Sequence, residues 1–153
     1  MTIRKATKED IPEVKELCVQ TILSVNKRDY TDEEVKDWAS CGESFTKWEQ
    51  RLNEQIYWVC VQEQELIGLV SLKENNYLGS FFVHKNHQKK GVGNLLMNHV
   101  LTEAKLKGTK IIESEVSITA KPFFERYGFR IIKKQLAKAN KLHLINFVME
   151  KEL

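Results

Sequence analysis

The sequence is poor in cysteine and has no long hydrophobic run. Its three cysteines, Cys18, Cys41 and Cys60, leave an odd thiol in any pairing scheme and form no Cys-x-x-Cys pair. We therefore expect free thiols and a reducing, cytoplasmic environment. No segment approaches the roughly 18 apolar residues that span a bilayer, and the N-terminus lacks an apolar core of signal length, so we expect no membrane association.

The chain also lacks a strong excess of either charge. Lys and Arg number 24 against 21 acidic residues, and the net charge of +3 is too small to indicate a nucleic-acid partner. The 153 residues, 42% of them hydrophobic, have the length and apolar content of one domain with a substantial core. We expect a single domain over residues 1–153, as a monomer or a homodimer.

Periodic patterns predict the elements of the first half of the chain. A short strand at 2–6 precedes a helix whose apolar positions run from Ile11 to Ile22, and a capping box at Thr31 to Glu34 predicts the start of a second helix. Aromatic and β-branched runs then predict an antiparallel meander of three strands, at 56–61, 66–72 and 77–84.

The second half returns to helical spacing before it ends in strands. The pattern predicts a long helix over 92–107 ended by Gly108, a strand at 110–116, a short helix at 119–127, and strands from Gly128 and over 143–150. Helices thus interrupt a largely sequential sheet. This order predicts a mixed α/β fold with helices on the sheet faces.

Two of the seven glycines stand one residue apart in Gln88-Lys-Lys-Gly91-Val-Gly93, between a predicted strand and the long helix. A helix start offers N–H groups without partners and a partial positive charge, and glycines let an anion approach the bare backbone. A phosphate-binding turn and a simple loop with solvated lysines both fit. A dinucleotide fingerprint does not, since Leu96 stands where its third glycine is needed, and the Gly-Lys-Ser/Thr of a Walker A loop is absent.

The stretch Gln88 to Gly93, preceded by FFVH, resembles the acetyl-CoA signature (Q/R-x-x-G-x-G/A) of the GNAT superfamily of N-acetyltransferases. SITAKPFFERYGF, at 117–129, resembles that superfamily's later motif of a short helix ending in Gly-Phe before a strand. The resemblance implies the GNAT fold, a central, mostly antiparallel, twisted sheet of about seven strands flanked by four helices. It also implies acetyl-CoA as the acetyl donor and no metal.

The same resemblance implies where acetyl-CoA is held. The backbone of Phe81, Phe82 and Val83 would pair with the pantetheine arm, and the pyrophosphate would lie on Gln88, Lys89, Lys90, Gly91, Val92, Gly93 and Asn94. Ser117 stands where many members have an asparagine on the cofactor arm, although it could equally cap the following helix. Phe124, also assigned to the cofactor site, stands where many members carry a tyrosine as the acid for the leaving thiolate.

Phenylalanine cannot donate a proton, so the acid and base need other candidates. Tyr127, one helical turn beyond Phe124, is the candidate acid, with simple packing beside Phe123 or Phe124 as the alternative. Glu113 is the candidate base, although no spacing separates it from the other groups in or beside strands, Glu74, His84 and Glu115. His84, His87 and His99 lack a fourth ligand at metal-site spacing, so we expect no metal.

An aromatic cluster in the first third of the chain is the candidate acceptor site. Tyr30, Trp38 and Trp48, with Phe45, lie among acids that would suit a cationic amine, namely Asp32, Glu33, Glu34, Asp37 and Glu43. The alternative is that Trp38 and Trp48 anchor amphipathic helices to the sheet.

Three functions are therefore open. The first is an N-acetyltransferase that transfers acetyl from acetyl-CoA to a primary amine of a small molecule or protein, by direct attack in a ternary complex. The second is a non-catalytic acyl-CoA-binding module, which Phe124 permits. The third and weakest is an RNA-binding domain that uses basic residues of the C-terminal half, Arg130, Lys133, Lys134, Lys138 and Lys141.

Overall fold

A computed structural model describes residues 1–153 and contains one seven-stranded sheet. The strands are β1 (Thr2–Lys5), β2 (Ile56–Gln62), β3 (Glu65–Lys73), β4 (Tyr77–Val83), β5 (Ile111–Ser117), β6 (Arg130–Lys138) and β7 (His143–Glu152). They lie in the order β1-β2-β3-β4-β5-β7-β6, and every neighbouring pair is antiparallel except β4 and β5. The predicted sheet and its meander are confirmed.

Five helices accompany the sheet, α1 (Ile11–Ser24), α2 (Asp32–Ser40), α3 (Phe45–Glu54), α4 (Val92–Leu106) and α5 (Lys121–Arg126). The predicted capping box of α2 is present, because Thr31 Oγ1 accepts the Glu34 N–H at 3.1 Å and the Glu34 carboxylate accepts the Thr31 N–H at 3.0 Å. None of the five helices has the length and apolar content needed to span a bilayer.

The expected number of four helices is wrong, because α3 was not predicted. Its sequence, FTKWEQRLNE, has apolar residues only at Phe45, Trp48 and Leu52, and a Gly42-containing break precedes it. Ser44 nevertheless starts the helix by accepting the Lys47 N–H at 3.3 Å. Only the Trp48 face is buried, so a polar segment is helical because one aromatic side chain anchors it.

Helices cover both faces of the sheet. α4 packs on one face over the largest hydrophobic core, which includes Val92, Leu96, Met97 and Val100. α1 packs on the other face, over a second core that includes Ile11, Val14, Trp48 and Leu69. Gly68 of β3 lies directly beneath α4, where an added Cβ would meet Leu96 Cδ1 at 2.8 Å and Val92 Cγ1 at 2.9 Å.

β4 and β5 separate soon after they begin. Only Tyr77 pairs with Glu113 and Leu78 with Ser114, whereas β5 continues to Ser117 and β4 to Val83. A β-bulge lies at the point of separation, since the pairs of β3 with β4 shift from Leu72–Leu78 to Val70–Phe81. Bulges bend a strand, so the distal half of β4 leaves β5 and the sheet opens.

A single buried hydroxyl stabilises the bulge. Ser71 Oγ accepts the backbone N–H of Ser80 at 2.7 Å and donates to Gln55 Oε1 at 2.8 Å. Gly79 leaves room for these hydrogen bonds, because a Cβ there would lie 2.5 Å from Gln55 Oε1 and 2.8 Å from Ser71 Oγ.

The turn between β6 and β7 is attached to α2 through one carboxylate. Asp37 accepts the backbone N–H groups of Asn140, Lys141 and Leu142 at 2.9 to 3.1 Å. Partial burial opposes ionisation, but these three donors hold the pKa of Asp37 below its ordinary value. The hairpin is therefore fixed against the N-terminal helices.

We expect Gly68→Ala to lower the free energy of unfolding by about 1–3 kcal/mol, because the new methyl group overlaps α4 side chains in a close-packed core. Gly42→Ala is the matched control: its Cβ would meet its nearest neighbours at 3.6 to 3.9 Å, so a change within about 0.5 kcal/mol is expected. Urea unfolding measures both. Equal stabilities of the two variants would contradict the packing described for β3 and α4.

We expect Asp37→Asn to raise the amide hydrogen-exchange rates of residues 140–142 by about tenfold, through loss of charge-assisted hydrogen bonds. The lowered pKa means that the carboxylate stabilises the turn above its unfolded pKa of about 3.9 and loses this effect as pH falls through the folded pKa. The variant-to-wild-type rate ratio should therefore approach one in acid. Asp32→Asn on the same helix should leave these amides unchanged, and a ratio independent of pH would contradict the assignment.

Candidate functional site

The separation of β4 and β5 opens into a cavity of about 1020 Å³. Its walls come from α1, α2, α3, β4, the loop before α4, β5, α5 and the β6–β7 hairpin. Phe81, Phe82 and Val83 pair with β3 on one side, but no strand pairs with them on the other. The β5-facing edge of this segment therefore offers backbone groups to an extended, amide-containing ligand.

The two phenylalanines of β4 point to opposite faces of the sheet. Phe81 lies over α5, with ring centroids 5.5 Å from Phe123 and 5.7 Å from Phe124. Phe82 packs against the cores under α1 and α2. Both pack against hydrophobic clusters because helices cover both faces of the sheet.

The loop before α4 presents an array of unpartnered backbone donors. No N–H group from Gln88 to Asn94 has a hydrogen-bond partner within the chain, and no side chain caps α4. Lys89 and Gly91 adopt left-handed conformations, with φ of 57° and 90°. Successive N–H groups in such a turn form a concave anion-binding surface, which the start of a 15-residue helix makes more positive.

The side chains of this loop have different tasks from its backbone. The Gln88 amide donates to the Val83 carbonyl oxygen at 2.6 Å and so ties the loop to the end of β4. The side chain of Val92, the first residue of α4, is buried in the core, which leaves only its backbone N–H for a ligand. Lys89 lines the cavity and Lys90, also exposed, does not. Gly93 allows the start of α4 to approach α5 closely, since a Cβ there would lie 3.3 Å from the Phe123 ring.

The structure does not place Tyr127 in the cavity. It is absent from the cavity walls, its hydroxyl donates to Asn94 Oδ1 at 2.8 Å, and its ring packs on Phe123 at 5.1 Å. Phe124 does line the cavity, but as a core side chain packed 5.0 Å from Phe129. The geometry thus favours packing over the proposed acid role of Tyr127.

Ser117 lines the cavity and caps a turn at the same time. Its Oγ accepts the Ala120 N–H at 3.1 Å, just before α5. The hydroxyl hydrogen is not used in that bond, so the serine keeps one donor for a ligand.

Glu115, rather than Glu113, is the carboxylate that reaches the cavity. Both side chains face the same side of β5, but Glu113 lies in the paired part of the strand and outside the cavity. Glu115 follows the last pair and is the only Asp or Glu among the lining residues. Its carboxylate accepts the Tyr77 hydroxyl at 3.0 Å, so its orientation is defined. The structure therefore brings Glu115 to the cavity, and Glu113 lies outside it.

The three aromatic residues predicted for the acceptor site, Tyr30, Trp38 and Trp48, all line the cavity. Tyr30 and Trp38 line the cavity in an edge-to-face pair with centroids 5.6 Å apart. The Tyr30 hydroxyl donates to the Ile145 carbonyl at 2.6 Å and accepts the Ile118 N–H at 3.0 Å, and burial raises its pKa. Trp48, only 3% exposed, donates its indole N–H to the Gly42 carbonyl, so it serves mainly as the anchor of α3.

The charges in the cavity are opposite to those expected for a cationic acceptor. None of the acids near the aromatic cluster lines the cavity, whereas five basic side chains do, namely Arg28, Arg51, Lys89, Arg126 and Lys138. Sequence reasoning missed Arg51 and Gln55 because it did not predict α3. Their spacing of four residues, one helical turn apart, is the signal that would have placed both on one face.

His84, His87 and Glu65 form a separate cluster at the start of the loop. Both Nε2 atoms lie 3.6 Å from Glu65 Oε1. His84 Nδ1 accepts the Asn86 N–H at 3.0 Å. This hydrogen bond occupies the lone pair of His84 Nδ1 and leaves Nε2 directed toward Glu65.

Comparisons with known proteins agree with this geometry. A family model described as an acetyltransferase (GNAT) domain matches residues 26–153. The uncharacterized N-acetyltransferase YafP of Escherichia coli (strain K12) is 27% identical over 147 residues, which cover 96% of this chain and 93% of that protein.

Solved structures show the same fold over nearly the whole chain. A GCN5-related N-acetyltransferase from Rhodopseudomonas palustris superposes with a TM-score of 0.96 at 25% identity, covering 99% of this chain and 95% of that one. The PaiA N-acetyltransferase of Thermoplasma acidophilum, solved with coenzyme A, has a TM-score of 0.80 at 20% identity, with coverages of 99% and 98%. The resemblance noted in the sequence is confirmed, and the chain belongs to the GNAT family of acetyltransferases.

Proposed function

We propose that the protein is an acetyl-CoA-dependent N-acetyltransferase that acts on a primary amine of a small molecule or protein. The observation that carries this proposal is that the unpaired edge of β4 leads directly into the loop before α4. The unpaired edge of β4 ends at Val83, and the loop with seven unpartnered N–H groups begins five residues later. An amide-rich pantetheine arm fits the first feature and a diphosphate fits the second.

Similar folds support the choice of donor. The PaiA structure contains coenzyme A, and a structure of the acetyltransferase YncA from Salmonella typhimurium contains acetyl-CoA. In this chain, Gly91, Gly93 and Asn94 would provide N–H groups to the pyrophosphate, Lys89 would add charge, and Ser117 would donate to the arm.

The cavity also supports direct transfer between donor and acceptor. A neutral amine attacks the thioester carbonyl, the C–N bond forms, the C–S bond breaks, and the thiolate leaves. Glu115 is the one lining carboxylate, so we assign it the proton released by the amine, directly or through water. A thiol with a pKa of about 8.5 can leave as the thiolate without a tyrosine at the position of Phe124.

A non-catalytic acyl-CoA-binding module is the second candidate. The observation that favours it is the absence of a proton donor at Phe124 together with the outward hydrogen bond of Tyr127 to Asn94. Thiol release from acetyl-CoA in the presence of a panel of amines separates the two candidates. Saturable acetyl-CoA binding without release on any amine would support the module and overturn the transferase.

We expect Gly91→Val to weaken acetyl-CoA binding on the order of tenfold or more, because a β-branched residue resists the left-handed conformation that shapes the loop. Gly108→Val is the matched control. Gly108 also has a positive φ, 81°, with open space around its Cβ position, but it follows the opposite end of α4. Both variants should lose a similar amount of folding stability. Calorimetry should show weakened acetyl-CoA binding for Gly91→Val and not for Gly108→Val. Equal acetyl-CoA affinities would refute the loop assignment.

We expect Glu115→Gln to lower kcat/KM about 100-fold while acetyl-CoA affinity stays unchanged, because the amide cannot accept the proton of the amine. Glu113→Gln, two residues earlier on the same side of β5, is the control and should retain activity. Steady-state thiol release on an amine that the wild type accepts measures both variants. The reverse pattern would restore Glu113 as the base and remove Glu115.

A further inference from the structure

A group of polar side chains on the α3 side of the cavity has no role in holding acetyl-CoA. Arg51 and Gln55 lie one turn apart near the end of α3, and Tyr57 follows in β2. Ser80 joins them from the bulge of β4, with its Oγ 3.2 Å from the Tyr57 hydroxyl. All four line the cavity.

Arg51 carries a positive charge that no acid in the chain neutralises. Its guanidinium stacks 4.6 Å over the Trp48 ring and donates to the Cys41 carbonyl at 3.1 Å. No Asp or Glu oxygen lies within 4.0 Å of it. A guanidinium has five N–H donors in a planar fork, so this half-buried, oriented side chain keeps most of them for an anion.

The neighbours of Arg51 are hydrogen-bond donors rather than counter-ions. Gln55 Oε1 accepts the Ser71 hydroxyl, which leaves the Gln55 NH₂ group without a partner within the chain. Burial raises the pKa of Tyr57, so its hydroxyl stays protonated and able to donate. A cation beside an amide NH₂ and a phenol matches the two oxygens of a carboxylate.

Asn26 adds a further unpaired amide to the cavity wall. The residue is 7% exposed and lines the cavity, yet its side chain has no hydrogen bond within the chain. Its amide group opens onto the cavity, so it is available to an amine or hydroxyl of the acceptor.

We propose that the acceptor is an amino carboxylic acid whose carboxylate binds Arg51, with Gln55 and Tyr57 as further donors. This rests on the proposed N-acetyltransferase function and names the acceptor class for it. The balance of charge in the cavity supports the same choice. Away from the loop before α4, the cavity is lined by four basic side chains and one acid, Glu115, so a polycationic acceptor would meet like charges; the four are Arg28, Arg51, Arg126 and Lys138.

The first test needs only the wild-type protein. Each of the twenty common amino acids is compared with its own carboxamide, which keeps the amine and side chain but removes the negative charge. Thiol release from acetyl-CoA gives kcat/KM, and calorimetry on the CoA-loaded protein gives binding without turnover. For at least one amino acid, we expect kcat/KM and binding affinity to be about tenfold or more higher than for its carboxamide. A difference of this size is typical of a hydrogen bond to a charged group.

Variants then assign the preference to Arg51. Arg51→Gln should reduce the acid-to-amide ratio to near one and leave acetyl-CoA affinity unchanged, and Arg51→Lys should restore part of the ratio. Lys47→Gln is the matched control, since Lys47 lies one turn earlier on α3 and outside the cavity. Lys47→Gln removes one positive charge, as Arg51→Gln does, and should leave the acid-to-amide ratio at its wild-type value.

The outcomes separate this proposal from the transferase itself. Thiol release on simple amines or amides with no preference for acids would overturn the carboxylate site and leave the transferase standing. Acid-selective binding with no release on any amine would overturn the transferase and leave the carboxylate site. Failure of any amino acid both to bind the CoA-loaded protein and to release thiol from acetyl-CoA would overturn the carboxylate site. An undiminished acid-to-amide ratio in Arg51→Gln would do the same.

Discussion

The hydrogen bond between the buried Ser71 hydroxyl and the Ser80 N–H is the interaction on which the site depends. It replaces a ladder bond that the bulge of β4 removes, and so makes the departure of β4 from β5 stable. Without that departure the two strands would continue to pair and no cavity would exist between them. The same hydroxyl donates to Gln55 at the end of α3, so the bend of the sheet and the acceptor wall share one contact.

Opening the sheet leaves backbone groups unpaired, and the chain satisfies only some of them. The Val83 carbonyl accepts both the Thr21 hydroxyl and the Gln88 amide, at 3.2 and 2.6 Å, which fixes the end of β4 and the start of the loop together. The N–H groups beyond Gln88 remain free. Because most of these residues are exposed, their N–H groups lie open to a ligand along one continuous path.

Local sequence predicted the strands and the glycine loop well, because aromatic and β-branched runs and left-handed glycines act within a few residues. It failed where distant contacts decide. Glu113 and Glu115 lie on the same side of β5, but the position at which β5 loses β4 determines which of them meets the cavity. Tyr127 shares a face with residue 124 in an ideal helix, yet α5 ends at Arg126 and the tyrosine turns toward Asn94. The helix α3 depends on a narrow apolar face, in which Trp48 is buried and Leu52 packs beside it, and its few apolar residues were not read as a helix.

The two halves of the cavity also differ in what they are made of. The donor half uses backbone N–H groups and glycines, which recognise diphosphate and pantetheine with little dependence on side chains. The acceptor half uses side chains from α2, α3 and the β6–β7 hairpin, held in place by contacts such as those of Asp37 with the hairpin turn. A family motif in the loop before α4 therefore identifies the donor but says nothing of the acceptor. In the proposed function, the selectivity for an amine would reside in Arg51 and its neighbours, where charge rather than backbone geometry distinguishes one acceptor from another.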